Sequence, residues 1–205
     1  MTAKQYGTVG LVGVGVFVLA LVALHLLDPD LSVVDGYISE YALGDYGWLS
    51  RAADFALGAG VIAIALGLRA TLAPGKRVTA SWVLVLVVGV GWFVSGLFAT
   101  DPTDAIETTT TGTIHDTAGY VQLLSVLISS WMLRGVFARD ERYSDRARAQ
   151  LWFAVVISAT MVATSLLFEV SVGLPQRALV VVVLSWLAFL AINLRQVDQP
   201  APLTS

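Results

Sequence analysis

The stretch WLSRAADFALGAGVIAIALGLRA, residues 48–70, decides the fold. Its length matches the roughly 20 apolar residues that a helix needs to cross about 30 Å of hydrocarbon. Its charges near the start, Arg51 and Asp54, are three positions apart and can pair on one helix face at headgroup level. Small residues recur at spacing four, in Ala52, Ala56, Gly60 and again in Ala59, Ala63, Gly67. Such stripes let helix backbones approach closely in lipid. The stretch therefore reads as a membrane-spanning helix packed against others.

Five further apolar runs of similar length flank it, at about 7–27, 79–100, 117–138, 150–170 and 177–194. Backbone groups inside a bilayer must be paired within their own segment, and these runs lack the polar–apolar alternation of barrel strands. The expected fold is an all-α membrane protein. It is a six-transmembrane-helix bundle, with residues 1–197 as a single domain and 198–205 as a disordered tail. The single Lys4, the long apolar core and the DPD that follows make the first run a retained anchor, not a cleaved signal.

Composition points the same way. The chain is 57% hydrophobic and 13% charged, about half the charged fraction of soluble domains. It has no cysteine, which removes disulfides, thiolate metal sites, covalent haem attachment and cysteine nucleophiles. The net charge of -3 and the scatter of Lys and Arg through short loops argue against nucleic acid as a partner.

Six crossings put Lys4, Arg69, Lys76, Arg77, Arg134, Arg139, Arg142, Arg146, Arg148 and Arg195 on one side, leaving Arg51 and Arg177 on the other. That bias predicts a plasma-membrane protein with both termini cytoplasmic. The outer side then holds most of the acids and both histidines. It also holds the two long connections, 28–47 and 101–116, and long loops are where binding residues concentrate. Asp28 and Asp101 precede prolines and mark abrupt helix ends. The link ARDERYSDRARAQ, 138–150, reads as a solvated loop near anionic headgroups.

Chemistry-bearing residues cluster near the outer side. His115, Gln122 and Ser129, flanked by Ser125, share one face of the fourth helix, while Ser158, Ser165 and Glu169 share one face of the fifth. Polar stripes in lipid seek partners and are expected to face the bundle interior. Thr113 can cap the fourth helix, with Asp116 in its first turn. His25 closes the first helix at the depth at which His115 opens the fourth. A metal would need a third ligand from Asp101, Asp116 or Glu169, and the spacing selects none of them.

The segments ISEYALGDYGWL (38–49), LGAGVIAIALGLR (57–69), GLFATDP (96–102) and TGTIHDTAG (111–119) form an ordered series. In order and spacing it resembles the domain of unknown function 998 family of small polytopic prokaryotic membrane proteins. The similarity runs from His25 to about Leu133. The family pattern places a histidine at the end of the first span, Ser-Glu-Tyr-Ala at 39–42, Gly-Trp-Leu at 47–49, Phe-Pro-Thr-Asp-Pro at 98–102 and Gly-x-Ile-His-Asp at 112–116. Ala99 stands where the pattern has its first proline. The resemblance implies that these residues gather on the outer face; it names no reaction and no cofactor.

The favoured expectation is an outward-facing polar site for a lipid or small solute, lined by His25, Ser39, Glu40, Asp101, His115 and Asp116. Arg51, Asp54, Gln122, Ser165 and Glu169 are expected to serve as structural polar groups, and membrane lipids as the partners. The alternatives are a structural or assembly subunit without a ligand, or a metal-assisted lipid hydrolase.

Overall fold

The structure, a computed structural model, describes residues 1–167 and 170–197. Glu169 and the expected tail lie outside the described residues. Six helices, each long and apolar enough to cross a membrane, make up the chain, with no strand among the described residues. They are α1 Ala3–Leu27, α2 Gly47–Thr71, α3 Lys76–Leu97, α4 Thr110–Phe137, α5 Ala147–Leu167 and α6 Gly173–Gln196. The molecule is a multi-pass helical membrane protein.

Local chemistry sets the helix ends. Thr2 and Gln5 form a reciprocal capping box at the start of α1, with Thr2 N donating to Gln5 Oε1 at 2.7 Å and Gln5 N to Thr2 Oγ1 at 3.2 Å. Asp28 ends α1 before Pro29, as the sequence predicts. Asp101 does not end α3. That helix stops at Leu97, and Phe98 is already extended. The single-residue Leu72 cap leads into Ala73–Pro74, which closes α2 and leaves a short turn to α3.

Successive helices pack side by side, α6 closes against α1, and α2 also touches α6. This puts α2 nearest the centre, with Leu57, Val61, Ile64, Ala65 and Leu68 fully buried. The small-residue stripe works at the α1–α2 contact: a methyl group on Gly13 would lie 2.6 Å from Ala56 O and 2.9 Å from Gly60 Cα. Valines and leucines of α1 and α5, such as Leu19, Val22, Val162 and Leu166, face outward, as lipid-facing side chains do.

The start of α1 and the end of α6 lie at one end, the terminal end; the long connections 28–46 and 98–109 cover the other, the capped end. The link at the terminal end is not simply solvated. Tyr143 is wholly buried, with its ring stacked on Phe137 at 4.7 Å. Thr71 Oγ1 donates to Gly67 O at 2.9 Å, so the Tyr143 phenol donates to Thr71 Oγ1 at 3.1 Å. Arg142 forks onto Asp140 at 2.8 and 3.0 Å and also donates to Thr71 O, covering the end of α2. An apolar ring among charged neighbours is the reason this link folds inward.

The interior polar residues divide. Gln122 is buried and donates to Ser95 Oγ at 3.3 Å. Ser129 donates back to Ser125 O at 2.6 Å, and Ser158 accepts from the Trp131 indole at 3.0 Å. Ser165, by contrast, is exposed and bonds only to Met161 O of its own helix at 3.0 Å. The outer face of α5 turns away from the bundle there, so a serine can satisfy itself on its own backbone. Arg51 and Asp54 do not pair: ion pairs among the described residues join Arg142 to Asp140 and Arg146 to Asp145. Asp54 turns inward beside Ser50 and is 9% exposed, whereas the longer Arg51 stays half-buried at the rim.

Candidate functional site

The first long connection is fastened to α6. Ser32 Oγ accepts from Asp35 N at 3.0 Å, a local turn that sends the chain across the helix ends. Val34 O then accepts from Gly173 N at 2.8 Å and from the Ser171 hydroxyl. Gly36 O accepts from Arg177 Nη1 at 2.7 Å, and Ile38 N donates to Gln176 Oε1 at 2.8 Å. The 3-10 turn Ile38–Leu43 follows, held by Tyr37 N donating to Glu40 Oε2 at 2.7 Å. It buries Tyr41 against the His25 ring, with centroids 5.1 Å apart.

The histidine is fixed from both sides. Leu21 O can only accept, so His25 Nδ1, 2.7 Å away, carries the ring proton. His25 Nε2 is then a lone pair and accepts from Arg177 Nε at 3.2 Å.

The second connection is tied to the first and to α4. Glu40 Oε1 accepts from Thr103 N at 2.7 Å, so one carboxylate bridges the two. Asp101 accepts from Thr109 N at 2.8 Å and from Thr109 Oγ1 at 2.7 Å, and Thr109 in turn caps Gly112 N at 3.0 Å. The cap is therefore Thr109, not Thr113, and Asp116 sits in the second helical turn instead of the first. The helix starts earlier than the apolar pattern suggests because Asp101 and Thr109 together satisfy its first amides. His115 Nδ1 donates to Phe98 O at 2.8 Å and ties α4 to the end of α3.

The six sequence-predicted site residues thus share the capped end without forming one pocket. His25 belongs to the α1–α6 contact, Glu40 joins the connections, Asp101 and His115 anchor α4, and Ser39 makes no side-chain hydrogen bond among the described residues. Asp116 is exposed. Burial pushes the Tyr37 phenol above its ordinary value, and the nearby Tyr120, Asp116 and Glu40 push the same way. Among the described residues no three His, Asp or Glu side chains gather as metal ligands.

Arg177, Gln176 and Tyr37 were not singled out by sequence, although they hold the first connection. A signal existed for Arg177: it is a cation inside an apolar run at the end carrying few cations. Its Nη2 is buried with no hydrogen-bond partner among the described residues, and so is the Trp92 indole nitrogen.

Two apolar grooves open sideways. One, of about 360 Å³, lies between α3 and α4, is walled by Val87, Val90, Val94 and Val121, and is edged by Thr113 and Thr117. The other, of about 520 Å³, runs along α4 and α5 past Trp131, Ser158, Val162 and Leu166. The first borders the His115–Asp116 segment directly.

No curated protein matches this chain, and no solved structure does. A family model described as protein of unknown function (DUF998) matches residues 11–193, and the chain belongs to that family.

Proposed function

We propose that the protein sits in the plasma membrane with its capped end outside, and that it holds the acyl chain of an outer-leaflet lipid in the α3–α4 groove. One observation carries this reading: the groove walled by Val87, Val90, Val94 and Val121 is apolar and ends at Thr113, Ile114 and Thr117, the residues on either side of the His115–Asp116 segment. An apolar groove that ends beside a polar segment suits an acyl chain with its headgroup at that end, and it fits a polar solute poorly. The test is mass spectrometry of co-purifying lipid. Ala118→Trp, which fills this groove, should reduce retained lipid to roughly half or less while the melting temperature holds. Ala159→Trp in the α4–α5 groove should leave it unchanged. Equal lipid in wild type and Ala118→Trp would make the groove ordinary boundary surface.

A second reading, an assembly subunit without a ligand, draws on the hydrogen bonds between Glu40 and Thr103 N, Asp101 and Thr109, and His115 and Phe98 O, which use these side chains to tie the capped end together. Unchanged lipid in Ala118→Trp favours it.

The orientation rests on the ten-to-two distribution of positive residues. Cysteines introduced singly at Ile106, which is fully exposed at the capped end, and at Ser144 are the chain's only thiols. An impermeant reagent on intact cells should label Ile106→Cys and spare Ser144→Cys. The reverse pattern would invert the topology.

A further inference from the structure

We infer that His25 and Arg177 form a proton-controlled latch that keeps the first connection, residues 28–37, closed over the capped end. The geometry leaves the histidine one role. Its Nδ1 proton is engaged by Leu21 O at 2.7 Å, so only Nε2 can accept from Arg177 Nε at 3.2 Å. The same guanidinium holds Gly36 O at 2.7 Å, so the residue that binds His25 also holds the connection. Among the described residues Arg177 Nη2 has no hydrogen-bond partner, so no further acceptor there engages this guanidinium.

A proton on Nε2 converts the acceptor into a donor aimed at another donor, cation against cation in a half-buried contact. No ion pair among the described residues offsets that charge. The charged or titratable groups against the His25 ring are Arg177 from α6 and Tyr41 from the 3-10 turn, while Glu40 lies on that turn, Arg51 and Asp54 near the start of α2, and Asp28, Asp30 and Asp35 along the connection itself. Glu40 is engaged by Tyr37 N and Thr103 N, and among the described residues no carboxylate forms an ion pair with His25 or Arg177. The latch is closed with His25 neutral and opens when it is charged. The sign follows from the donor count: lowering the pH can only open the latch, and raising it can only close it.

The chain has no cysteine, so a nitroxide on Val33→Cys, an exposed position in the connection, reports this segment alone. Spectra of the full chain in lipid nanodiscs are compared at about pH 8 and about pH 5, the range over which histidine charge changes. The ratio of immobile to mobile label should fall by roughly tenfold at the lower pH, the effect of losing one hydrogen bond to a charged group. His25→Gln, which cannot take up a proton, should keep one ratio at both values. Arg177→Met should be mobile at both, and it carries the test if His25→Gln does not fold. A pH response that survives in either variant, or that is missing from wild type, overturns the latch.

Discussion

Gly13→Leu should separate α1 from α2 and cost roughly 3 kcal/mol, because the new side chain meets backbone that has no rotamer to yield. The obstacle is Ala56 O and Gly60 Cα, 2.6 and 2.9 Å from where the first carbon would sit. Gly15 is the internal control. A side chain there meets nothing within 4 Å, and replacing glycine inside a helix gains up to about 1 kcal/mol of intrinsic propensity. In detergent melts Gly13→Leu should fall well below wild type, and Gly15→Leu should match or exceed it. Similar melting temperatures for both variants would mean that the glycine stripe does not set the approach of these helices.

Tyr143→Ala should be nearly as damaging, at about 3 to 4 kcal/mol, the usual cost of emptying a buried aromatic site. It removes the ring stacked on Phe137 and the donor to Thr71. Tyr143→Phe separates the two losses, since it keeps the ring and should cost only about 1 kcal/mol. Equal melting of the two variants would assign the effect to the hydroxyl and overturn the packing argument. Acid should loosen the same corner. The Arg142 side-chain hydrogen bond holds the Asp140 carboxyl below its ordinary value, so its contribution is complete above the unfolded aspartate value of about 4 and is lost as pH falls through the lower folded one.

The spans were legible in the sequence because crossing a bilayer imposes length and apolarity on every helix at once. Ends were legible where a backbone rule acts alone, as at Asp28–Pro29, and misread where side chains compete. Asp101 looks like the same signal, yet its carboxylate is drawn forward to Thr109, and α3 ends at Leu97, well before it. Stripe arguments found Gln122 inside and failed at Ser165, because periodicity gives a face but not the direction in which the bundle lies. Tyr143 was hidden by its charged neighbours. The candidate residues do lie at the capped end, but partners such as Phe98 O for His115 and Thr103 N for Glu40 were not legible, since they are backbone groups that no side-chain pattern marks.

The fifth helix is held unevenly. Its buried residues, Gln150, Ala154 and Ile157, all belong to the half nearer the terminal end, where Gln150 links Ser130 O and the Trp186 indole at 2.8 and 3.2 Å. Beyond them Val162, Ala163, Leu166 and Leu167 are exposed. The bilayer supplies contacts that the bundle does not, so side-chain packing resists a change in hydrocarbon thickness less in this half than at the Gln150 end. Bilayers of different thickness should therefore shift the far end of α5 while the Gln150 end stays in register, making this helix the molecule's gauge of the membrane around it.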